Sequence, residues 1–193
     1  MLDTLIEIQR LKSLERTGWM LRGLPSGSES VADHSFGVAV AAMMLADEAR
    51  ARGAGIDTEL VLRFALLHDW PEVRVGDLPR TAALYFGKEA RGRAETAAFA
   101  DMIGGLSEIV AAKYGELHAA YERRECLESR LVKAADIIDL LVQTLAFERA
   151  GARGLDEFWE NAGTMDFKLE GPAAEVVAET LSALTQTRAN LNR

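Results

Sequence analysis

Nowhere in this chain do apolar and polar residues alternate convincingly over five residues or more, and only four prolines interrupt long stretches rich in Ala, Leu, Glu and Arg. A half-buried strand needs period-two alternation, whereas those four residue types are strong helix formers. The fold class this predicts is all-α, with about seven or eight helices. Leu2, Leu5, Ile6 and Gln9 with Leu14 predict a first amphipathic helix, ending before the Gly-, Pro- and Ser-containing residues 18–28. Ser30 followed three residues later by Asp33 resembles a capping box, so residues 31–51 read as a helix apolar over much of its circumference and the most buried of the set. Asp57 or Thr58 can cap the next helix, which runs through Phe64 and Leu67 until Pro71 biases Trp70 away from helical geometry. His68 and Asp69 then fall in its last turn. Further helices are expected at about 88–103, 106–121, 125–150, 155–162 and 172–190, the last supported by Pro172 at its first position.

No internal repeat or second-domain boundary is visible, so a single domain over residues 1–193 is expected, with a motif-bearing core at about 11–150 and a C-terminal helical extension. The apolar C-terminal helix, with Val176, Val177, Leu181 and Leu184, could serve an interface or close the core. The 49% hydrophobic and 27% charged residues are those of an ordinary globular chain. The longest apolar stretch, residues 38–46, is too short to span a bilayer, and no charged-then-apolar leader opens the chain. The expectation is a cytoplasmic protein without membrane partners. Its single cysteine, Cys126, excludes an internal disulfide and any cysteine-rich zinc or iron-sulfur site. A net charge of -8 argues against nucleic acid as a partner, because duplex binding neutralises phosphates with Lys and Arg. A small anionic substrate would need a local positive centre, and a bound divalent cation supplies a strong one.

Two of only three histidines stand beside aspartates, as Asp33-His34 at a helix start and His68-Asp69 at a helix end. Imidazole nitrogen and carboxylate oxygen together suit divalent metals of intermediate softness and leave coordination positions for water and substrate. Asp136 lies inside an otherwise apolar helical run, where an unpaired carboxylate is costly to bury, so it needs a cation or a donor. A salt bridge to Lys or Arg would serve as well as a metal. The third histidine, His118, sits in a polar helical stretch and reads as a surface residue. Met43-Met44 fits helix packing, and the small residues 38–42 would permit close helix approach.

The order His34, His68-Asp69 and distant Asp136 resembles the signature of the HD superfamily of metal-dependent phosphohydrolases. Residues Glu29 to Ser35, Leu66 to Asp69, Glu72 and Gly76 to Pro79 are similar to its 5'-deoxynucleotidase branch, the YfbR-like proteins. The resemblance covers about residues 11–150 and implies an HD-type helical bundle. It also implies one divalent ion (Mn, Co, Ni, Zn, Fe or Mg) held by His34, His68, Asp69 and Asp136. The implied activity is hydrolysis of nucleoside 5'-monophosphates, with a preference for 2'-deoxy forms, by attack of a metal-activated water. Glu72 is then the residue that orients or deprotonates that water, and Asp77 assists proton transfer to the leaving oxygen. Arg16 matches the phosphate-contacting Arg and Trp19 the sugar-packing Trp. Gly18 stands directly before Trp19 where relatives have the Arg, and Arg16 is three positions away from Trp19, so Arg22 competes with Arg16. A homodimer is implied as well. The alternatives are an HD hydrolase of another nucleotide (triphosphate, cyclic or guanosine tetraphosphate) and a non-catalytic metal- or nucleotide-binding regulatory module.

Overall fold

Helix boundaries follow local capping chemistry. Ser30 Oγ accepts from the Asp33 amide at 3.1 Å while Asp33 Oδ2 accepts from the Ser30 amide at 2.9 Å, a reciprocal box that starts the helix at Val31. Asp57 Oδ1 likewise accepts from the amides of Glu59 and Leu60 at 2.9 and 3.2 Å, so Asp57 rather than Thr58 is the cap. This computed structural model describes residues 1–191, the side chain at position 83 apart. In chain order the helices are α1 (Leu2–Ile8), a 3₁₀ turn (Gln9–Lys12), α2 (Thr17–Met20), α3 (Val31–Ala51), α4 (Thr58–Leu67) and α5 (Glu72–Val75). They continue as α6 (Arg80–Phe86), α7 (Lys88–Ile103), α8 (Glu108–Arg123), α9 (Leu127–Arg149), α10 (Asp156–Gly163) and α11 (Gly171–Leu191). Among the described residues the one extended pairing is an isolated bridge between Glu15 and Ser30. The all-α class therefore holds. Eleven helices among the described residues exceed the expected seven or eight because α2 and α5 are single turns of 4 residues and α6 has only 7, all too short to show a clear periodicity. Among the described residues no helix is long and apolar enough to cross a membrane.

The chain forms two compact units, interleaved in sequence: Met1–Ser35 with Leu66–Arg123, and Phe36–Ala65 with Arg124–Arg193. In the first, α7 packs against α1, α5, α6 and α8. Leu67, Phe99 and Ile103 form its core, with Trp70, Tyr114 and Leu117 packed on them. His118, expected at the surface, is 4% exposed and stacks on Phe99 at 4.2 Å between ring centroids. Its polar neighbours concealed an aromatic partner 19 positions upstream, on α7. The first helix is also reversed from expectation. Thr4 is its buried residue, donating to the Met102 carbonyl at 3.1 Å, and the terminal amine donates to Gly105 O at 2.8 Å. Those polar ties turn Leu2, Leu5 and Ile6 outward, each more than half exposed.

In the second unit, α9 packs against α10 and α11. Ile137, Leu141 and Ala162 form a cluster covered by Phe158, Trp159, Leu181 and Leu184, so the C-terminal helix closes the core of its own unit. Arg188 on α11 binds Glu148 on α9 at 2.7 Å and Asp156 at 2.6 Å. Along α3, Val38, Ala42, Leu45, Ala46 and Ala49 are buried on one face. That periodicity leaves Phe36, Met43 and Met44 off the face and exposed, correcting the packing role expected for the methionine pair. The close approach anticipated around residues 38–42 occurs one residue earlier. A Cβ on Gly37 would overlap the Asp139 carboxylate, with Cγ at 2.7 Å, so any larger residue on α3 here requires the Asp139 side chain on α9 to move.

Candidate metal centre

The first unit assembles most of the anticipated site, and local structure explains each placement. The capping box fixes the first turn of α3, and the His34 amide bonds back to Ser30 O at 3.1 Å. His68 and Asp69 lie just past α4, one residue later than expected, in a turn closed by the Trp70 amide on Leu67 O at 3.2 Å. Pro71 then opens α5, which carries Glu72 inward. Gly76 ends that helix at φ 79°, a left-handed conformation suited to glycine, and turns the chain into Asp77. Thr17 clips Asp77 from across the unit: its amide donates to Oδ2 at 2.6 Å and its hydroxyl to the Asp77 carbonyl at 2.7 Å.

His34 and His68 are buried, with ring centroids 5.7 Å apart, and the Tyr121 ring meets His68 edge-on at 5.9 Å. Asp69 Oδ2 lies 3.0 Å from His68 Nε2 and 3.7 Å from His34 Nε2. Three atoms of the type that bind divalent metals thus converge. Burial pushes the Asp69 carboxyl up, but His68, His34 and Arg16 together outweigh it and hold it well below the usual carboxylate range. Glu72 goes the other way: burial, then the negative fields of Asp69 and Asp77, raise it well above its ordinary value. Arg91 Nη2 is 3.8 Å from Glu72 Oε1, while the buried Oε2 accepts no hydrogen bond among the described residues.

Arg16, half-buried, reaches three of the four acids of this cluster: Asp77 at 3.8 Å, Asp69 at 3.9 Å and Glu29 at 3.9 Å. Its competitor Arg22 donates to the Gly18 carbonyl at 3.2 Å. Trp19 is 2% exposed, and its indole donates to Glu29 Oε2 at 2.5 Å. Asp136 belongs to the second unit, on α9, where Lys133 Nζ binds Oδ2 at 2.6 Å. A lysine there satisfies the requirement for a cation or donor that the apolar surroundings imposed. In the first unit Asp69, Glu72, Asp77 and Glu29 outnumber Arg16 and Arg91, and Glu72 Oε2 lacks a donor. That excess of buried acceptors, beside two imidazole nitrogens, fits a divalent cation.

Residues 8–164 match the family model described as HD domain. The chain belongs to the HD-domain family. Among curated proteins this HD-domain chain is 31% identical over 155 residues to the 5'-deoxynucleotidase YGK1 of Saccharomyces cerevisiae, covering 78% of the chain and 69% of that protein. It is also 31% identical over 146 residues to the 5'-deoxynucleotidase HDDC2 of Xenopus laevis, covering 76% and 68%. It thus spans about two thirds of the length of these relatives. A solved structure of a conserved hypothetical protein from Pyrococcus furiosus superposes with a TM-score of 0.80 at 34% identity, over 96% of this chain and 99% of that one.

Several neighbours of this HD-domain site escaped sequence reasoning. Glu29 stood inside a recognised motif yet had no assigned role, and its partner Trp19 is 10 positions away. Thr17 and Arg91 touch the site only through Asp77 and Glu72, and no spacing rule in a single sequence marks them. Tyr121, whose ring meets His68, stands in the same polar helical stretch as His118 and belongs to no motif.

Proposed function

We propose that the protein is a metal-dependent phosphomonoesterase that hydrolyses nucleoside 5'-monophosphates, preferring 2'-deoxy forms, to nucleoside and inorganic phosphate. The observation that carries this reading is the convergence of Asp69 Oδ2 with the Nε2 atoms of His68 and His34 at 3.0 and 3.7 Å, with Glu72 and Arg16 beside them. His34, His68 and Asp69 would hold one divalent ion, with Asp136 as the fourth ligand; the curated relatives named 5'-deoxynucleotidases support the substrate class. When bound, such an ion polarises the phosphoryl oxygen and makes a coordinated water more acidic.

The remaining work falls to the chain. Glu72 Oε2, buried and of raised proton affinity, orients the attacking water and takes its proton. Arg16, already within 4 Å of three carboxylates, turns its guanidinium to the substrate phosphate, where two N–H groups can grip two oxygens. Asp77, pinned by Thr17, passes a proton to the departing nucleoside oxygen. Trp19 is the residue expected on the sugar side, but it is 2% exposed and tied to Glu29, so the preference for 2'-deoxy forms rests on the relatives named 5'-deoxynucleotidases rather than on an exposed indole face. The protein would act in the cytoplasm as a homodimer, with a nucleotide as its small-molecule substrate and neither nucleic acid nor membrane as a partner.

A phosphate-release panel tests this. The full chain, chelated and then re-supplied with Mn, Co, Ni, Zn, Fe or Mg, is given deoxy- and ribonucleoside mono- and triphosphates. Release from deoxynucleoside monophosphates that disappears in the His34→Ala and Asp136→Ala variants is the expected result. Tight metal binding without release from any nucleotide would instead make the protein a regulatory module. Full activity of either variant would remove that residue from the ligand set.

A further inference from the structure

Arg91, at the end of the first turn of α7, neither holds the ion nor carries a proton in the proposed hydrolysis, yet its guanidinium faces both chain segments that bear the acids of that chemistry. Its Nη2 lies 3.8 Å from Glu72 Oε1, and Nη1 donates to the Leu78 carbonyl at 3.4 Å. Glu72 opens α5, and Leu78 directly follows Asp77 in the chain, so one planar group spans the two segments. A guanidinium can do this because its N–H groups diverge at fixed angles, whereas an ammonium is a single point. The guanidinium is itself held from behind: Nε pairs with Glu95 Oε1 at 2.6 Å, one turn further along α7. Asp77 is thereby fixed from two sides, by Thr17 on its own amide-facing oxygen and carbonyl and by Arg91 on the next peptide.

The two oxygens of Glu72 are not equivalent in this setting. Oε1 faces the guanidinium, while the buried Oε2 has no hydrogen-bond partner among the described residues. Rotation about the last side-chain bond of a glutamate is soft and would exchange the two. A fixed positive charge beside Oε1 opposes that exchange and leaves Oε2 as the oxygen free to meet a water. An ion pair at the same spacing on the same helix has no such setting: Arg93 binds Glu89 at 2.8 Å with both side chains largely exposed. We propose, resting on the phosphomonoesterase reading, that Arg91 is a positioning residue: it holds the Glu72 carboxylate with Oε2 toward the attacking water and pins the loop that delivers Asp77. Arg91 acts through Glu72 and Leu78 rather than on the substrate phosphate, which is the part given to Arg16.

Steady-state kinetics of the metal-loaded full chain on a deoxynucleoside monophosphate test this with Arg91→Ala, and with Arg93→Ala as a control that removes the exposed pair from the same helix. Arg91→Ala is expected to lower kcat by about tenfold or more while KM stays within about threefold of wild type, because a displaced proton acceptor slows the chemical step and not binding. Arg93→Ala should leave both constants unchanged. A smaller loss in kcat overturns the proposal, and so does a larger rise in KM, which would put Arg91 on the phosphate instead. The cycle with Glu72→Gln separates positioning from a general loss of structure: in that background Arg91→Ala should cost less than about threefold, since residues that act as a unit are not additive. A full tenfold loss there overturns the proposal. If thermal melting shows that Arg91→Ala does not fold, Arg91→Lys takes its place and must lower kcat by about threefold or more, its ammonium being unable to reach both partners. Hydrogen exchange without nucleotide supplies a readout independent of turnover. Amides of residues 72–80 should exchange faster in Arg91→Ala than in wild type or Arg93→Ala, and equal exchange in all three overturns the proposal. A wild type that releases phosphate from no nucleotide sinks the hydrolase reading, and exchange over residues 72–80 then decides alone whether Arg91 holds this segment.

Discussion

At the scale of single residues, environment decides chemistry more than identity does. Burial raises the proton affinity of both Glu72 and Asp69, yet the two move in opposite directions because His68, His34 and Arg16 outweigh burial at Asp69 whereas Asp69 and Asp77 add to it at Glu72. Replacing Glu72 by Gln keeps the shape and removes the proton acceptor. The expected result is a loss of about 10²- to 10⁴-fold in kcat with metal content preserved, measured by steady-state kinetics and metal analysis. His118 offers a prediction far from catalysis. Burial, only partly opposed by Glu95, lowers its pKa from 6.5 in the folded protein. The unfolded chain then binds more protons between the two values, so the His118 contribution to stability is complete above pH 6.5 and is lost as pH falls through that window. Urea titrations of wild type and His118→Leu across pH 5 to 8 should differ in this slope, with the variant flatter over that range. His34, His68 and Asp69 were legible because few histidines and the family motif order single them out. The stacking of His118 on Phe99 was not, since it depends on a tertiary contact between α7 and α8.

At the scale of elements, helix starts were readable and helix faces were less so. The caps at Ser30 and Asp57 are local, involving residues within three positions, and both occur where side-chain chemistry placed them. Which way α1 turns was settled instead by Thr4 and the terminal amine, whose partners Met102 and Gly105 lie about a hundred residues on. In the second unit the Asp139 carboxylate on α9 occupies the space beside Gly37 on α3. Gly37→Ala should therefore cost about 1 to 3 kcal/mol, despite the better helix propensity of alanine, because the Asp139 carboxylate must move. Adding Asp139→Ala should recover much of that loss in chemical denaturation, a coupling that distant sites would not show.

For the molecule as a whole, the excess of buried acids in the first unit makes cation binding and stability one problem. A metal present at about a thousand times its dissociation constant should add about 4 kcal/mol, or roughly 8 to 16 °C in Tm for a chain of this size. Scanning calorimetry of chelated and re-loaded protein measures this, and an unchanged Tm would argue against a resident ion. The all-α class was readable from periodicity because so much of the chain repeats a helical pattern. Grouping of the helices was not, since each unit draws on two separate stretches of sequence. That arrangement bears on synthesis at the ribosome. The first unit has all its residues once Arg123 has emerged, whereas Phe36–Ala65 must wait for the final seventy positions before its own unit is whole. During that interval an early piece of the protein is a natural client for chaperones, and no single cut in the gene would release either half intact.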